Sequence, residues 1–375
     1  MIPYGRQSIS EEDIQAVVEV LRSDFLTQGP AIPRFEQAVA DYCGARFGVA
    51  VNSGTAALHI ACLALDVGPG DLVWTSPISF VASANCALYC GAQVDFVDID
   101  AITGNMSITA LAEKLKWAEQ AGKLPKVVIP VHFAGLPCDM QEIHALAQQY
   151  GFRIIEDACH ALGATYQGNP IGQCQYSDIT VFSFHPVKII TTGEGGMAVT
   201  NDPALAKAMS MLRSHGITRE PEDFINEADG PWYYEQQQLG FNYRITDIQA
   251  ALGLSQMQQL DSWIARRQKL GENYIRLLTP ESLNKLLPAD RRSAFHLFIY
   301  HCQPEKRKEL FITLRKNDIG VNVHYLPIPK QPYHSRLISG DWPMADLFYS
   351  SAITLPLFPG LTDEQQESII SMLTA

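Results

Sequence analysis

The chain reads as an α/β protein: a large domain built on a mostly parallel sheet over residues 1–260, with an N-terminal arm, then a smaller α+β domain over residues 261–375. Three observations predict this. Short apolar runs alternate with segments of helical spacing between about residues 48 and 200, the βαβ rhythm that places helices on both faces of a parallel sheet. The 375 residues are 47% hydrophobic and 18% charged, enough for a large core, and the length suggests two or three domains. From about residue 290 the texture changes to short apolar runs around single helices.

Each element has a local reason. Residues 1–7 read as an extended arm. Ser10 is an N-cap for a helix over Glu11–Ser23, whose Ile14, Val17, Val18 and Leu21 fall at helical spacing. A turn at Leu26-Thr27-Gln28-Gly29-Pro30 precedes a helix over about Ile32–Cys43, with Phe35, Val39 and Tyr42 on one face. Gly48–Val51 reads as a strand, Asn52-Ser53-Gly54-Thr55 as a small polar turn, and the residues from Ala56 as a strong helix. Strands follow at Leu72–Thr75, Val94–Val97, Val127–Val131 and Arg153–Asp157, and helices at Ser79–Leu88 and Asp139–Tyr150. Helices near Pro203–Arg213, Thr246–Leu260 and Trp263–Leu278 flank a long loop at 217–240. Short runs at Phe295–His301 and Gly320–His324 surround a helix at Glu305–Lys316. Thr362 and Gln365 form a capping box opening the final helix, Thr362–Leu373.

One stretch carries the chemistry. In Ser177–Thr200 a β-rich run, Ile179–Phe184, meets Pro186, which cannot continue a ladder. Lys188 therefore falls just past a strand's carboxyl end, where open α/β sheets bind ligands. Its neighbours are apolar or hydroxyl residues, and desolvation there lowers a lysine's pKa and makes its amine a nucleophile toward carbonyls. The plain alternative is a solvated loop lysine. Asp157 ends another strand, so a shared parallel sheet brings both side chains to one edge. An acid and a neutral lysine on one edge suit pyridoxal 5'-phosphate, whose aldehyde bonds to the amine while the carboxylate pairs with the ring N–H. The helix opening at Ser53-Gly54-Thr55 offers free N–H groups and hydroxyls to a phosphate, and Ser183 can add a hydrogen bond; an ordinary N-cap is the alternative. Phe80 is an aromatic able to stack on the ring or to sit in the core. His160 either orients Asp157 or the ring hydroxyl, or caps and fills.

The ordered set Leu26–Gly29, Asn52–Thr55, Glu156–Ala161, Phe182–Lys188, Gly193–Gly196, Arg213–Gly216 and Gly240–Arg244 resembles the DegT/DnrJ/EryC1/StrS family of aminotransferases acting on nucleotide-linked keto-sugars. That resemblance implies a fold-type-I pyridoxal-phosphate transferase. It makes Lys188 the cofactor lysine and acid/base, Asp157 the partner of the ring nitrogen, and Ser53, Gly54, Thr55, Ala56 and Ser183 the phosphate and substrate cradle. It sends Asn242 to the cofactor phosphate of a neighbouring subunit, which requires a homodimer. It places Tyr4, Leu26, Thr27, Gln28, Gly29 and residues Val323, His324, Tyr325 and Leu326 along the sugar-nucleotide pocket. His324 and Tyr325 are otherwise plain strand residues of the smaller domain.

The runs SFHPVK, SHGI and Val323-His324-Tyr325 are similar to the branch that serves pseudaminic acid synthesis. That similarity implies transfer from L-glutamate to the C4 ketone of a UDP-linked 4-keto-6-deoxy-N-acetylhexosamine. One departure stands out: Leu326 occupies a position where a basic residue is expected, with Lys330 nearby. Another nucleotide-linked keto-sugar, or a non-catalytic regulator that binds pyridoxal phosphate or a sugar nucleotide, are the competing readings.

The net charge of −12 argues against nucleic-acid and membrane-surface partners. Eight scattered cysteines with no C-x-x-C pair suggest reduced thiols in cytoplasm and no metal site. The first residues lack the basic and apolar regions of a signal peptide.

Overall fold

The computed structural model describes residues 1–278 and 288–374. The first part of the chain supplies α1 (Glu11–Leu21), α2 (Ala31–Cys43), β1 (Phe47–Val51), α3 (Gly54–Ala64), β2 (Leu72–Thr75), α4 (Ala82–Tyr89) and β3 (Gln93–Phe96). It continues with α5 (Ile108–Ala121), β4 (Val127–Ile129), α6 (Met140–Tyr150), β5 (Arg153–Asp157), two short strands β6 (Thr165–Tyr166) and β7 (Asn169–Pro170), β8 (Ile179–Ser183) and β9 (Gly196–Thr200). Seven of these strands form one sheet in the order β1-β9-β8-β5-β4-β2-β3. The pairs β2–β3, β2–β4, β4–β5 and β5–β8 are parallel; β9 runs antiparallel to both β8 and β1. The chain from β8 to β9 contains no helix, and without a crossover a neighbouring strand returns antiparallel.

The helices begin where side chains satisfy their first N–H groups. The Ser10 hydroxyl accepts from Asp13 N while Asp13 reaches back to Ser10 N, a complete capping box. Ser53 caps α3 by accepting from Ala56 N at 3.1 Å, a contact worth roughly 1 kcal/mol. Ser79 and Phe80, expected inside a helix, lie before α4. The unforeseen α5 is capped by Ser107 and buries Leu111, Leu115 and Ala118 along one face.

Apolar side chains on both faces of the sheet form two large clusters. In one, Phe35 of α2 is fully buried, a contribution of roughly 2–3 kcal/mol. Its ring lies where a Cβ on Gly253 would come within 2.6 Å, so only glycine lets α2 approach the next helices so closely.

Beyond the sheet come α7 (Pro203–Arg213), the ribbon β10 (Ile217–Thr218) with β11 (Glu235–Gln236), α8 (Asp247–Met257) and α9 (Leu260–Leu277). The expected long loop thus carries one two-residue ribbon. Thr246 caps α8 in a second capping box. Then follow β12 (Arg291–Arg292), β13 (Phe298–His301), α10 (Pro304–Lys316), α11 (Pro343–Ser351), β14 (Ala352–Leu355) and α12 (Asp363–Thr374). β13 and β14 pair antiparallel. The expected run Gly320–His324 forms no ladder; it touches β14 through one bridge, Asn322 to Thr354. Leu270 and Tyr274 of α9, Phe298, Val321, Ile353 and Ile369 make a separate core. Leu260 and Ile264, at the other end of α9, belong to the core of the large sheet.

The arm is tied at several points. Ile2 N donates to Asp318 O at 2.7 Å and Gly320 N to Ile2 O at 2.6 Å. Leu357 N donates to Tyr4 O at 3.0 Å, and the Gln256 amide donates to Ser8 O at 2.9 Å.

Candidate active site

The register of the sheet brings the site together. Gly196, the first residue of β9, lies opposite Val51 on one side and Ser183 on the other. Ser183 ends β8, two residues past Val181, which pairs with Asp157 at the end of β5. Asn52 and Ser53 follow Val51 directly and open α3. Thus Ser53-Gly54, Gly196, Ser183 and Asp157 share one edge of the sheet.

That edge is built for close approach. A Cβ on Gly196 would sit 2.4 Å from the Ser53 carbonyl oxygen, and one on Gly54 would sit 2.9 Å from Ser183 Cβ. Among the described residues, the N–H groups of Gly54 and Thr55 and the hydroxyls of Thr55 and Ser183 have no hydrogen-bond partner. Two free N–H groups and two free hydroxyls at a helix N-terminus form a ready cradle for an anion.

Successive side chains of β5 face opposite ways. Glu156 is buried away from this edge, accepting from His132 Nε2 at 2.7 Å and Thr180 Oγ1 at 3.1 Å, and from Ser177. Its hydrogen bonds outweigh burial and hold it below the usual carboxylate range. Asp157 points to the site and is 5% exposed. Its Oδ2 accepts from Ser83 Oγ at 2.6 Å and its Oδ1 from Cys159 N at 3.2 Å.

Lys188 sits in a turn that follows β8, with its own N–H donating to His185 O at 2.8 Å. Burial lowers its pKa below the usual lysine value, although Cys159 and Asp157 pull the other way. Its side-chain amine donates to no partner among the described residues. The loop beneath is fixed: Thr191 Oγ1 donates to Phe184 O at 3.0 Å, and Gln256 Oε1 accepts from Thr191 N at 3.3 Å. Gln256 Nε2 in turn donates to Asp13 Oδ2 at 2.6 Å.

Aromatic and imidazole groups close one side. His160 is 5% exposed, and burial, with Lys188 and His324 nearby, pushes it well below the ordinary imidazole value. Its Nε2 lies 3.4 Å from Tyr325 Oη, while its Nδ1 is buried without a partner. His296, which sequence reasoning did not single out, is equally buried and lies 4.4 Å from His160 between ring centroids. Its Nδ1 also lacks a partner. The run Phe295–His301 gave no signal for it beyond an apolar pattern. Phe80 is 58% exposed, so it is not a core phenylalanine; its ring lies 6.5 Å from that of Tyr325.

The other expected residues lie around this edge: the Asn242 carbonyl oxygen is 3.5 Å from Asn52 Nδ2, and the His324 ring lies 4.7 Å from the Tyr325 ring. Thr27 bridges Thr246, and Gly29 N donates to Asp247 Oδ2 at 2.8 Å. Leu26, Thr27 and Gln28 are exposed there, next to the start of α8. Asn242 is exposed on the strand-like run beside Ser214. His324 is buried, with Nδ1 2.8 Å from Thr354 Oγ1, and burial lowers it to about 4. The Tyr4 ring lies 5.4 Å from it. Val323 N bonds to the Asn322 side chain, and Leu326 is half-buried. Lys330 pairs with Asp346 at 2.6 Å.

These groups fit pyridoxal phosphate. The cradle offers donors to a phosphate, Asp157 a carboxylate to the ring nitrogen, Lys188 a desolvated amine to the aldehyde, and His160 an orphaned buried nitrogen. Among the described residues no cluster suited to a metal is present, and no helix is long and apolar enough to cross a membrane.

Comparison with known proteins agrees. The model of the DegT/DnrJ/EryC1/StrS aminotransferase family matches residues 7–374. The UDP-4-amino-4,6-dideoxy-N-acetyl-beta-L-altrosamine transaminase of Campylobacter jejuni is 35% identical, across 95% of this chain and 92% of that protein. The structure of Helicobacter pylori PseC, an aminotransferase of pseudaminic acid biosynthesis, superposes with a TM-score of 0.90 at 31% identity. That match covers 100% of this chain and 98% of that one. The sugar aminotransferase Spr1654 of Streptococcus pneumoniae matches in its PLP form with a TM-score of 0.86 at 31% identity, covering 99% and 97% of the two chains. Its PMP form matches with a TM-score of 0.89 at 32% identity, covering 100% and 98%. The chain belongs to the DegT/DnrJ/EryC1/StrS family and is a pyridoxal-phosphate-dependent aminotransferase.

Proposed function

We propose that this enzyme moves an amino group from L-glutamate to the C4 ketone of a UDP-linked 4-keto-6-deoxy-N-acetylhexosamine. The product is then UDP-4-amino-4,6-dideoxy-N-acetyl-β-L-altrosamine, a precursor of pseudaminic acid. The observation that carries the reading is the desolvated Lys188 amine beside Asp157 at the edge where the anion cradle opens. The similarity to the Campylobacter transaminase supports the choice of acceptor.

When bound, pyridoxal phosphate would supply an electron sink and a carrier for the transferred nitrogen. The protein's own groups do the rest. Lys188 Nζ, whose pKa burial lowers, takes the proton that leaves Cα of the donor, and in the second half-reaction delivers one. Asp157 orients the ring, and Gly54, Thr55 and Ser183 hold the phosphate. Phe80 covers the ring face. Leu26–Gly29, which lie at the start of α8, and Asn242, which precedes it, complete the site of a second copy in a homodimer, with Asn242 reaching that copy's phosphate. Tyr4, His324 and Tyr325 border the sugar. The large domain is then residues 1–260, and the smaller domain, residues 261–375, adds His324 and Tyr325 to its site. Eight free cysteines suit a reducing cytoplasm.

A different nucleotide-linked keto-sugar is favoured by one observation. Leu326 offers no charge to a diphosphate, and Lys330 is engaged with Asp346. The test is incubation of the purified protein with glutamate and a panel of keto-sugar nucleotides, with products read by mass spectrometry and NMR. Amination of the UDP-linked 4-keto sugar, with loss of the visible cofactor band on adding glutamate, is expected. Preference for another acceptor overturns the substrate; a band that glutamate leaves unchanged overturns glutamate as donor.

A further inference from the structure

The Ser79–Ser83 pair lies outside every role described so far. Ser83 is fully buried on the first turn of α4, and Ser79, 4% exposed, lies in the loop just before it. Their hydroxyl oxygens are 2.6 Å apart, and Ser83 Oγ is 2.6 Å from Asp157 Oδ2. A serine has one proton to give. Phe80 O lies 3.3 Å from Ser83 Oγ, a weaker acceptor at a longer distance. A short O–H···O contact to a carboxylate is the stronger, charge-assisted kind. The Ser83 proton therefore points at Asp157, and its oxygen is left to accept from Ser79. The chain has one direction, Ser79 to Ser83 to Asp157.

We infer that Ser83 is a positioning residue of the transamination site: it fixes the rotation of the Asp157 carboxylate and thereby the oxygen presented to the cofactor's ring nitrogen, with Ser79 orienting Ser83. The geometry supports this in two ways. Asp157 Oδ1 accepts from Cys159 N at 3.2 Å, a longer contact than the 2.6 Å from Ser83 to Oδ2, so the shortest hold on the carboxylate is Ser83. The Ser83 hydroxyl comes from a helix rather than a loop, anchored in a second cluster by its neighbours Ala82, Ala84 and Cys86. The inference rests on the cofactor reading and deepens it.

The test uses the full chain loaded with nitrogen-15-labelled pyridoxal phosphate. Two quantities are read: the dissociation constant from fluorescence titration of the cofactor-free chain, and the ring-nitrogen NMR signal. Ser83→Ala is expected to weaken cofactor binding by about tenfold, the worth of one hydrogen bond to a charged group. It should also move the ring-nitrogen signal toward that of Asp157→Asn. Ser83→Thr, which keeps the hydroxyl, should restore both, and Ser79→Ala should give a smaller effect of the same sign. In an Asp157→Ala background, where no acceptor oxygen is left at position 157, removal of the Ser83 hydroxyl should add less than about twofold.

A Ser83→Ala chain with wild-type affinity and an unmoved signal overturns the inference, as does an undiminished loss in the Asp157→Ala background. Should Ser83→Ala fail to fold, Ser79→Ala carries the same two readouts, and an unmoved signal there overturns the proposed direction of the chain. A wild-type chain that takes up no pyridoxal phosphate would overturn the cofactor reading itself, which is a distinguishable result.

Discussion

Lowering the pH should unfold this protein through its buried imidazoles, and His301 isolates the effect. It ends β13, is 4% exposed, and lies away from the site. Its Nδ1 is 2.8 Å from Ser351 Oγ, its Nε2 has no partner, and its ring meets the Phe348 ring at 4.6 Å. Burial lowers its pKa from 6.5 to about 4. The sign follows from proton uptake. Between these values the unfolded chain binds a proton that the folded chain refuses. The stabilisation is thus complete above about pH 6.5 and is lost as pH falls toward 4. A gap of about 2.5 pH units at about 1.4 kcal/mol per unit makes roughly 3–4 kcal/mol for this one side chain. That is a large share of the roughly 5–15 kcal/mol that holds a domain folded.

The perturbation is His301→Asn, whose side chain can keep a contact to Ser351 but cannot titrate. Urea unfolding at fixed protein concentration, repeated between pH 4.5 and 7, gives the slope of stability against pH. The variant loses some stability at every pH because part of the ring volume is gone. Its slope, however, should be shallower than the wild type's by about 1.4 kcal/mol per pH unit. Parallel slopes would refute the reasoning. His324, also lowered to about 4, and His160 and His296, both pushed well below the ordinary imidazole value, keep a residual slope in both proteins.

Three further outcomes are expected. Gly196→Ala drives a Cβ to 2.4 Å from Ser53 O and 2.7 Å from Gly54 N; it should cost about 1–3 kcal/mol or more and sharply weaken pyridoxal-phosphate binding, as read by denaturation and fluorescence titration. Asp247→Ala removes the acceptor for Gly29 N at 2.8 Å and Ala31 N at 2.9 Å; it should cost about 2–3 kcal/mol, checked by urea unfolding. Lys188→Ala should abolish turnover in a folded chain, and mixing it with Asn242→Ala should recover part of the activity, because one of the two shared sites then holds both native residues; absence of recovery in a mixed dimer would refute a shared site.

Continuous apolar runs made most of the central sheet legible. Leu72–Thr75 and Arg153–Asp157 stand as read, and Pro186 marked the end of β8 correctly, because a missing N–H is a local fact. From these the shared edge of Asp157 and Lys188 followed. The antiparallel course of β9 was also within reach, since no helix separates it from β8. Helix α5 was not read, although Ser107, Leu111, Leu115 and Ala118 carry an N-cap and a helical spacing; its charged residues mask the pattern. What pairing over long distances creates stayed hidden. Nothing near Ser83 says that it meets a carboxylate 74 positions on, and His296 meets His160 only after two cores dock. The same holds for β14, four residues whose order depends on β13 more than fifty positions earlier.

The first eight residues behave as a suture rather than a tail. Cutting the thread after Ser8 would strip acceptors from Gly320 N, Leu357 N and the Gln256 amide at once. Gln256 also braces the turn that carries Lys188, so a nick at the very start of the polypeptide would loosen the reactive amine from a distance. An expression tag is therefore better placed at the opposite terminus, where α12 ends on exposed side chains.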